Sequence, residues 1–153
     1  MQNRFVNISI VKATEKDIPV ILELLYELER PTPIDDKEIK IFRNKIKDYF
    51  SDSQKIILLA KQGYKPVGLV SIIFLRRLNR IKLEMYIPEL IVTRVHRNSG
   101  IGKKLIEHCV ILAKKKNCYR IRLESGNQRK DSHLFYKNLG FEQSSLSFSM
   151  NIL

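Results

Sequence analysis

A chain of 153 residues with 44% apolar and 29% charged residues is long enough to bury its own core and too apolar for a disordered segment. Its formal net charge of +12 is uneven: residues 1–52 carry nine Lys/Arg against ten Asp/Glu, and residues 53–153 carry nineteen against six. Cys109 and Cys118 have neither metal-ligand nor redox spacing, the start is no signal peptide, and the apolar run Val67–Leu75 stops at Arg76 and Arg77 before it could span a bilayer, so one soluble domain over 1–153, reduced and cytoplasmic, is expected without a metal.

Residues 7–12 alternate around Ile8 and Ile10 and predict a first strand. A helix follows from an Asp17 cap to about Glu29, since Pro19 is tolerated only in a first turn; Ile18, Ile21, Leu22, Leu25 and Leu28 form its apolar face. Pro31 and Pro33 end it. A second helix is predicted over Asp35–Phe50, with Ile39, Phe42, Ile46 and Phe50 as its stripe. Lys55–Lys61 and Val67–Leu75 are strands joined by turn chemistry at Gln62–Pro66, a hairpin. After a polar link at Arg76–Arg80, Ile81–Thr93 reads as one extended stretch, with a bulge or an edge expected at Pro88, which cannot donate to a ladder. A helix over Ile101–Lys116, a strand over Tyr119–Glu124 and a short helix over Asp131–Leu139, ended by Gly140, come next. Leu146, Phe148, Met150 and Ile152 repeat with period two and predict a closing strand. The order β α α β β β α β α β is that of an α+β fold with a central mixed, mostly antiparallel sheet flanked by helices.

The junction Ile91–Leu105 carries the chemistry. A strand ends in a basic, glycine-bearing turn and a helix starts at once, which focuses backbone N–H groups and the positive helix end on one point, an anion site. The G-x-x-x-x-G-K-[ST] phosphate loop is excluded: Arg97 stands where its first glycine would be, and Lys104 follows Lys103. The dinucleotide fingerprint G-x-G-x-x-G fails at Leu105. What remains is R-x-x-G-x-G, Arg97-Asn98-Ser99-Gly100-Ile101-Gly102.

On that motif the chain resembles the GNAT superfamily of N-acetyltransferases. Phe135-Tyr136-Lys137-Asn138-Leu139-Gly140-Phe141 is similar to the F/L-Y-x-x-x-G-F signature of the same family, and the predicted element order matches over nearly the whole chain. The segment Glu124–Tyr136 further resembles members that act on small amines, with Ser132 in place of an alanine; Arg129 stands where many members have the asparagine that meets the pantetheine arm. The resemblance implies acetyl-CoA as acyl donor, an amine as acceptor, and direct attack in a ternary complex.

It also implies roles. Arg97, Asn98, Ser99, Gly100, Ile101, Gly102 and Lys103 would hold the pyrophosphate, and backbone groups of Leu90, Ile91 and Val92 would bind the pantetheine arm and polarise the thioester carbonyl. Tyr136 would serve as general acid to the leaving thiolate. Glu89 is the candidate general base, with Glu84 and His133 as alternatives. The acceptor is expected to be a small amine; a protein lysine or N-terminus is the rival acceptor. Non-catalytic alternatives are an acyl-CoA-binding sensor and, from the basic second part, a nucleic-acid-binding module, although neither aromatic-interleaved nor helix-turn-helix signatures occur. No membrane partner is expected, and a homodimer is compatible with this reading.

Overall fold

A computed structural model describes residues 7–28 and 31–153. The chain forms two compact units, Met1–Arg122 and Leu123–Leu153.

The first unit is built on a sheet. β1 (Ile8–Lys12) pairs antiparallel with β2 (Lys55–Gln62), and β2 with β3 (Lys65–Leu75). The hairpin turns at Gly63, whose φ of 62° belongs to the left-handed region that favours glycine. Between β1 and β2 lie α1 (Ile18–Tyr26) and α2 (Asp36–Ser51). Both begin where their capping residues stand. Asp35 caps α2 by accepting the Glu38 N–H at 2.8 Å; Asp17 stands at the N-cap of α1, but its carboxylate caps no N–H of that helix and accepts the Thr14 N–H at 2.8 Å, closing the 3-10 turn Glu15–Asp17 before it. α1 ends at Tyr26, short of the expected end; Glu29 lies outside the described residues.

The alternation of β2 and β3 divides the core in two. Ile57, Leu59 and Leu69 pack with Ile21, Leu22, Leu24 and Ile46 of the two helices. Gly68 turns the other way, where a β-carbon would meet the Ile91 carbonyl at 3.1 Å and the Ile101 and Leu105 side chains at 3.3 Å. A side chain there would push α3 (Ile101–Lys115) off the sheet. Each fully buried aliphatic side chain contributes roughly 2 kcal/mol relative to exposure.

The expected single stretch Ile81–Thr93 is corrected to two strands, β4 (Glu84–Ile87) and β5 (Leu90–Val92). β3 pairs with both, but in different registers: Ile73 faces Tyr86 while Val70 faces Leu90. Two residues of β3, Ser71 and Ile72, therefore oppose three, Ile87, Pro88 and Glu89. The bulge expected at Pro88 is a one-residue insertion, and it bends the strand where proline removes a ladder donor. The start of the expected stretch is not strand, and Ile81 is fully exposed. β6 (Arg120–Leu123) lies beyond β4, giving a path β1-β2-β3-β4-β6 with β5 attached to β3 alone.

The second unit contains α4 (Lys130–Asn138). Gly140, at φ 93°, closes it: its N–H donates to Lys137 O, and the Phe141 N–H donates to Tyr136 O, both at 3.0 Å. The expected closing strand over Leu146–Ile152 does not form. A strand needs a partner for its backbone groups, and none is seen for residues 142–153 among the described residues; Leu146, Phe148, Met150 and Ile152 are exposed. The period-two pattern recorded amphipathic spacing, which alone makes no ladder. Among the described residues the fold is α+β with a six-stranded, mostly antiparallel open sheet and four helices.

Candidate active site

The bulge is locked by one side chain. Ser71 N–H donates to Glu89 O at 3.0 Å, and the Glu89 N–H donates to the Ser71 hydroxyl, also at 3.0 Å, instead of to a backbone carbonyl. The same hydroxyl donates to the Glu89 carboxylate. Ser71 thus replaces the ladder contact that the extra residue disrupts and at the same time fixes the carboxylate. Nothing in the sequence singled out Ser71; a serine inside an apolar strand opposite a proline-bearing one is the signal that was there to find.

Glu89 and Ser71 stand in the wall of a half-open cavity of about 420 Å³, lined by α1, α2 and the sheet. Tyr49 of α2 lines it too. Burial pushes the Tyr49 phenol up to about 12, and the nearby Glu89 carboxylate adds to the rise.

β5 has a free edge. The Thr93 N–H donates to Val67 O at 2.9 Å and Ser71 N–H to Glu89 O, so residues 89, 91 and 93 turn their backbone groups toward β3. By the alternation of an antiparallel ladder, Leu90 and Val92 turn theirs away. Val92 O accepts from Arg97 Nε at 3.2 Å, consistent with that direction. Ile91 faces inward, paired with Leu69, its side chain in the core. Of the three residues expected at the donor strand, Leu90 and Val92 offer outward backbone groups and Ile91 does not.

Beyond β5, a short turn of 3-10 helix (Arg94–His96) leads to the glycine turn. Thr93 Oγ1 lies 3.0 Å from His96 Nδ1, and His96 Nε2 lies 2.7 Å from Gln62 Oε1. The Gln62 oxygen only accepts, so Nε2 carries the proton and Nδ1 accepts from Thr93. His96, which no motif singled out, fastens this turn to the end of β2. Ser99 Oγ donates to His96 O. Asn98 (φ 59°) and Gly100 (φ 82°) are both left-handed, and Gly100 caps α3 without any side-chain hydrogen bond. Lys104 N–H is the helix donor that reaches Gly100 O, at 3.1 Å. The N–H groups of Ile101, Gly102 and Lys103, in the first turn, have no carbonyl within the helix and no capping side chain. Such a turn fits an anion, with Arg97 and Lys103 beside it; Lys103 Nζ lies 4.0 Å from Glu107 in the exposed flank of α3.

Glu84, the alternative base, is fully buried and committed elsewhere. Tyr119 OH donates to it at 2.8 Å, Arg120 Nε at 2.6 Å and Arg122 Nε at 3.0 Å, and Arg77 lies at 3.4 Å. Burial would raise its pKa, but the hydrogen bonds from Arg120, Arg122 and Tyr119 outweigh burial and hold the carboxyl at about 2. It is a structural charge. His133, the third candidate base, sits in the second unit and donates from Nε2 to the Gly126 carbonyl at 2.8 Å, pinning the loop before α4. Tyr136, also in that unit, packs edge-on between Phe135 (centroids 5.1 Å apart) and Phe141 (5.6 Å). Burial pushes its phenol up to about 12. Cys109 is buried, with its thiol likewise pushed to about 12, and offers no nucleophile.

The chain is similar to several known proteins. The sequence model of the Acetyltransferase (GNAT) family matches residues 22–141. An uncharacterized N-acetyltransferase, YhdJ of Bacillus subtilis (strain 168), is 37% identical over 65 residues, a match spanning 42% of this chain and 46% of that protein's length. Among solved structures, a transcriptional regulator from Bacillus halodurans C-125 superposes with a TM-score of 0.83 at 25% identity, over 95% of this chain and 100% of that one. Glucosamine-6-phosphate N-acetyltransferase from Arabidopsis thaliana gives 0.79 at 21%, over 95% and 98%. An aminoglycoside acetyltransferase from an uncultured soil metagenomic sample gives 0.78 at 19%, over 95% and 97%. The family match covers most of the chain and both signatures, and the chain belongs to the GNAT acetyltransferase family.

Proposed function

We propose that this protein transfers the acetyl group of acetyl-CoA to a small primary amine. The observation that carries the reading is the bulge: one inserted residue sets a half-buried carboxylate, Glu89, immediately before a strand edge, and that edge leads in a few residues to the uncapped start of α3. The family match, running from 22 to 141, supports reading residues 1–153 as one acyltransferase domain.

In this reading the first-turn N–H groups of α3, with Gly100 and the flanking Arg97 and Lys103, hold the donor's pyrophosphate. Asn98 and Ser99 shape the turn. The outward groups of Leu90 and Val92 pair with the amide-bearing arm of the donor as a further strand would, and an N–H of this edge polarises the thioester carbonyl. Glu89 takes a proton from the acceptor ammonium. The free amine attacks the thioester carbon, the new C–N bond forms, and the C–S bond breaks. The nitrogen sheds its second proton, which ends on the departing sulfur. Tyr136 is the proposed donor at that sulfur. A phenol at about 12 is a poorer acid than a thiol at about 8.5. Its part is therefore a hydrogen bond to the developing thiolate, with net protonation supplied by the nitrogen's proton.

The test is thiol release from acetyl-CoA with a panel of small amines, amino sugars, polyamines and lysine peptides. Release with small amines supports the reading; CoA binding without release from any acceptor overturns it. Preferential release with lysine peptides moves the acceptor to protein.

A further inference from the structure

We infer that the acceptor is a primary monoamine with an apolar body, such as an arylalkylamine or a medium-chain alkylamine; this rests on the acyl-transfer reading above. The cavity that Glu89 lines has the wrong walls for a highly polar acceptor. Leu22 and Leu25 of α1, Phe42 and Ile46 of α2, and Ile57 and Leu69 of the sheet make up most of its lining. Its polar groups are few. Ser71 and Glu89 come from the sheet side, Tyr49 and, one helical turn before it, the exposed Lys45 from α2, and Tyr26 from the end of α1. Among the described residues Glu89 is the one carboxylate in the wall.

The size fits one such molecule. An apolar cavity of roughly 150 Å³ takes benzene. A volume of about 420 Å³ therefore takes a ring with a short arm, or an alkyl chain of several carbons. The charge arrangement selects against three other classes. A polyamine leaves its second ammonium against Leu, Ile and Phe side chains or facing Lys45. An amino sugar has more hydroxyls than the few polar groups of the wall can meet and leaves the rest against apolar side chains. An α-amino acid brings its carboxylate next to Glu89. A monoamine has none of these conflicts: its ammonium meets Glu89, and its body displaces water from an apolar surface.

The experiment measures kcat/KM for acetyl transfer over n-propylamine, n-butylamine, n-pentylamine and n-hexylamine, phenethylamine, 1,5-diaminopentane, spermidine, glucosamine and a lysine peptide. The inference expects kcat/KM to rise about two- to fourfold per added methylene until the cavity fills. It expects 1,5-diaminopentane to fall at least tenfold below n-pentylamine at equal length. Leu25→Asp should narrow or reverse that last ratio, with a melting curve to confirm that the variant folds; should it not fold, the wild-type series decides alone. A flat methylene series, or a diamine, sugar or peptide used as well as the apolar amines, overturns the apolar-acceptor inference while acetyl transfer stands. Silence with every acceptor overturns both.

Discussion

Among the described residues Glu84 is the one fully buried charge, and replacing it by glutamine isolates its contribution. Glu84 has no exposure, and Arg120, Arg122 and Tyr119 all donate to it, with Arg77 3.4 Å away. Its carboxyl titrates at about 2 in the folded chain against 4.5 ordinarily, and burial works against that shift, so the three donors more than offset it. The folded pKa is depressed, so the stabilisation is complete above the unfolded value and is lost as pH falls toward 2. A displacement of that size corresponds to about 3 kcal/mol at neutral pH. Glu84→Gln keeps the shape but leaves three guanidinium groups around a neutral amide. It should lower unfolding free energy by about 3 kcal/mol at pH 7. The assay is urea unfolding of both proteins at intervals from pH 7 to pH 2. The gap between the two curves should be constant above about pH 5 and close as pH falls through the interval from 4.5 to 2. Parallel curves over that interval, or a variant within about 0.5 kcal/mol of the parent at pH 7, would refute the assignment.

Three further substitutions address the site. Gly100→Val forces a β-branched residue to a φ of 82° with open space around it, so strain and not crowding is the cause; at roughly 1–2 kcal/mol, it should raise the donor's KM about tenfold, read by initial rates against acetyl-CoA. Tyr136→Phe should lower kcat roughly 10- to 100-fold with little change in donor affinity by calorimetry. With the phenol at about 12, Tyr136 adds no alkaline limb to the wild-type pH profile below about pH 10. Ser71→Ala removes both the acceptor for the Glu89 N–H and the donor to its carboxylate, and should cost roughly 10- to 100-fold in kcat; an unchanged kcat would remove Ser71 from the positioning of Glu89.

Much of the architecture was legible because it rests on local chemistry. Asp17 and Asp35 mark helix starts, Gly140 marks a helix end, and the hairpin turns at Gly63. The helix start at Ile101 behind the glycine turn was legible too, whereas its lack of a side-chain cap was not, since Asn98 and Ser99 stand just before it and Ser99 bonds to His96 O instead. What stayed hidden depends on partners far along the chain. Glu84 alternates like a solvated strand residue, and only arginines 36 and 38 positions later make it a buried ion. Ser71 and Glu89 meet across 18 residues, and a surplus residue in β4–β5 cannot be seen until the β3 register is known. The final residues show the opposite error: Leu146 to Ile152 have a strand's spacing, but spacing supplies no neighbour.

Tyr86 and Glu89 both act on the Tyr49 phenol, although residues three apart in an unbroken strand look in opposite directions. Pro88 is thus a spare residue: removing it would let β4 and β5 join in one continuous register, each keeping its β3 partner. Core contacts would survive the deletion, and the ladder would gain a rung. What would vanish is the bend that parts β5 from β4 and the reason for Ser71 to stand in for the backbone. Under the proposed acyl transfer, deleting Pro88 is expected to separate folding stability from activity: the shortened chain should be at least as stable as the parent in urea unfolding and release no thiol from acetyl-CoA.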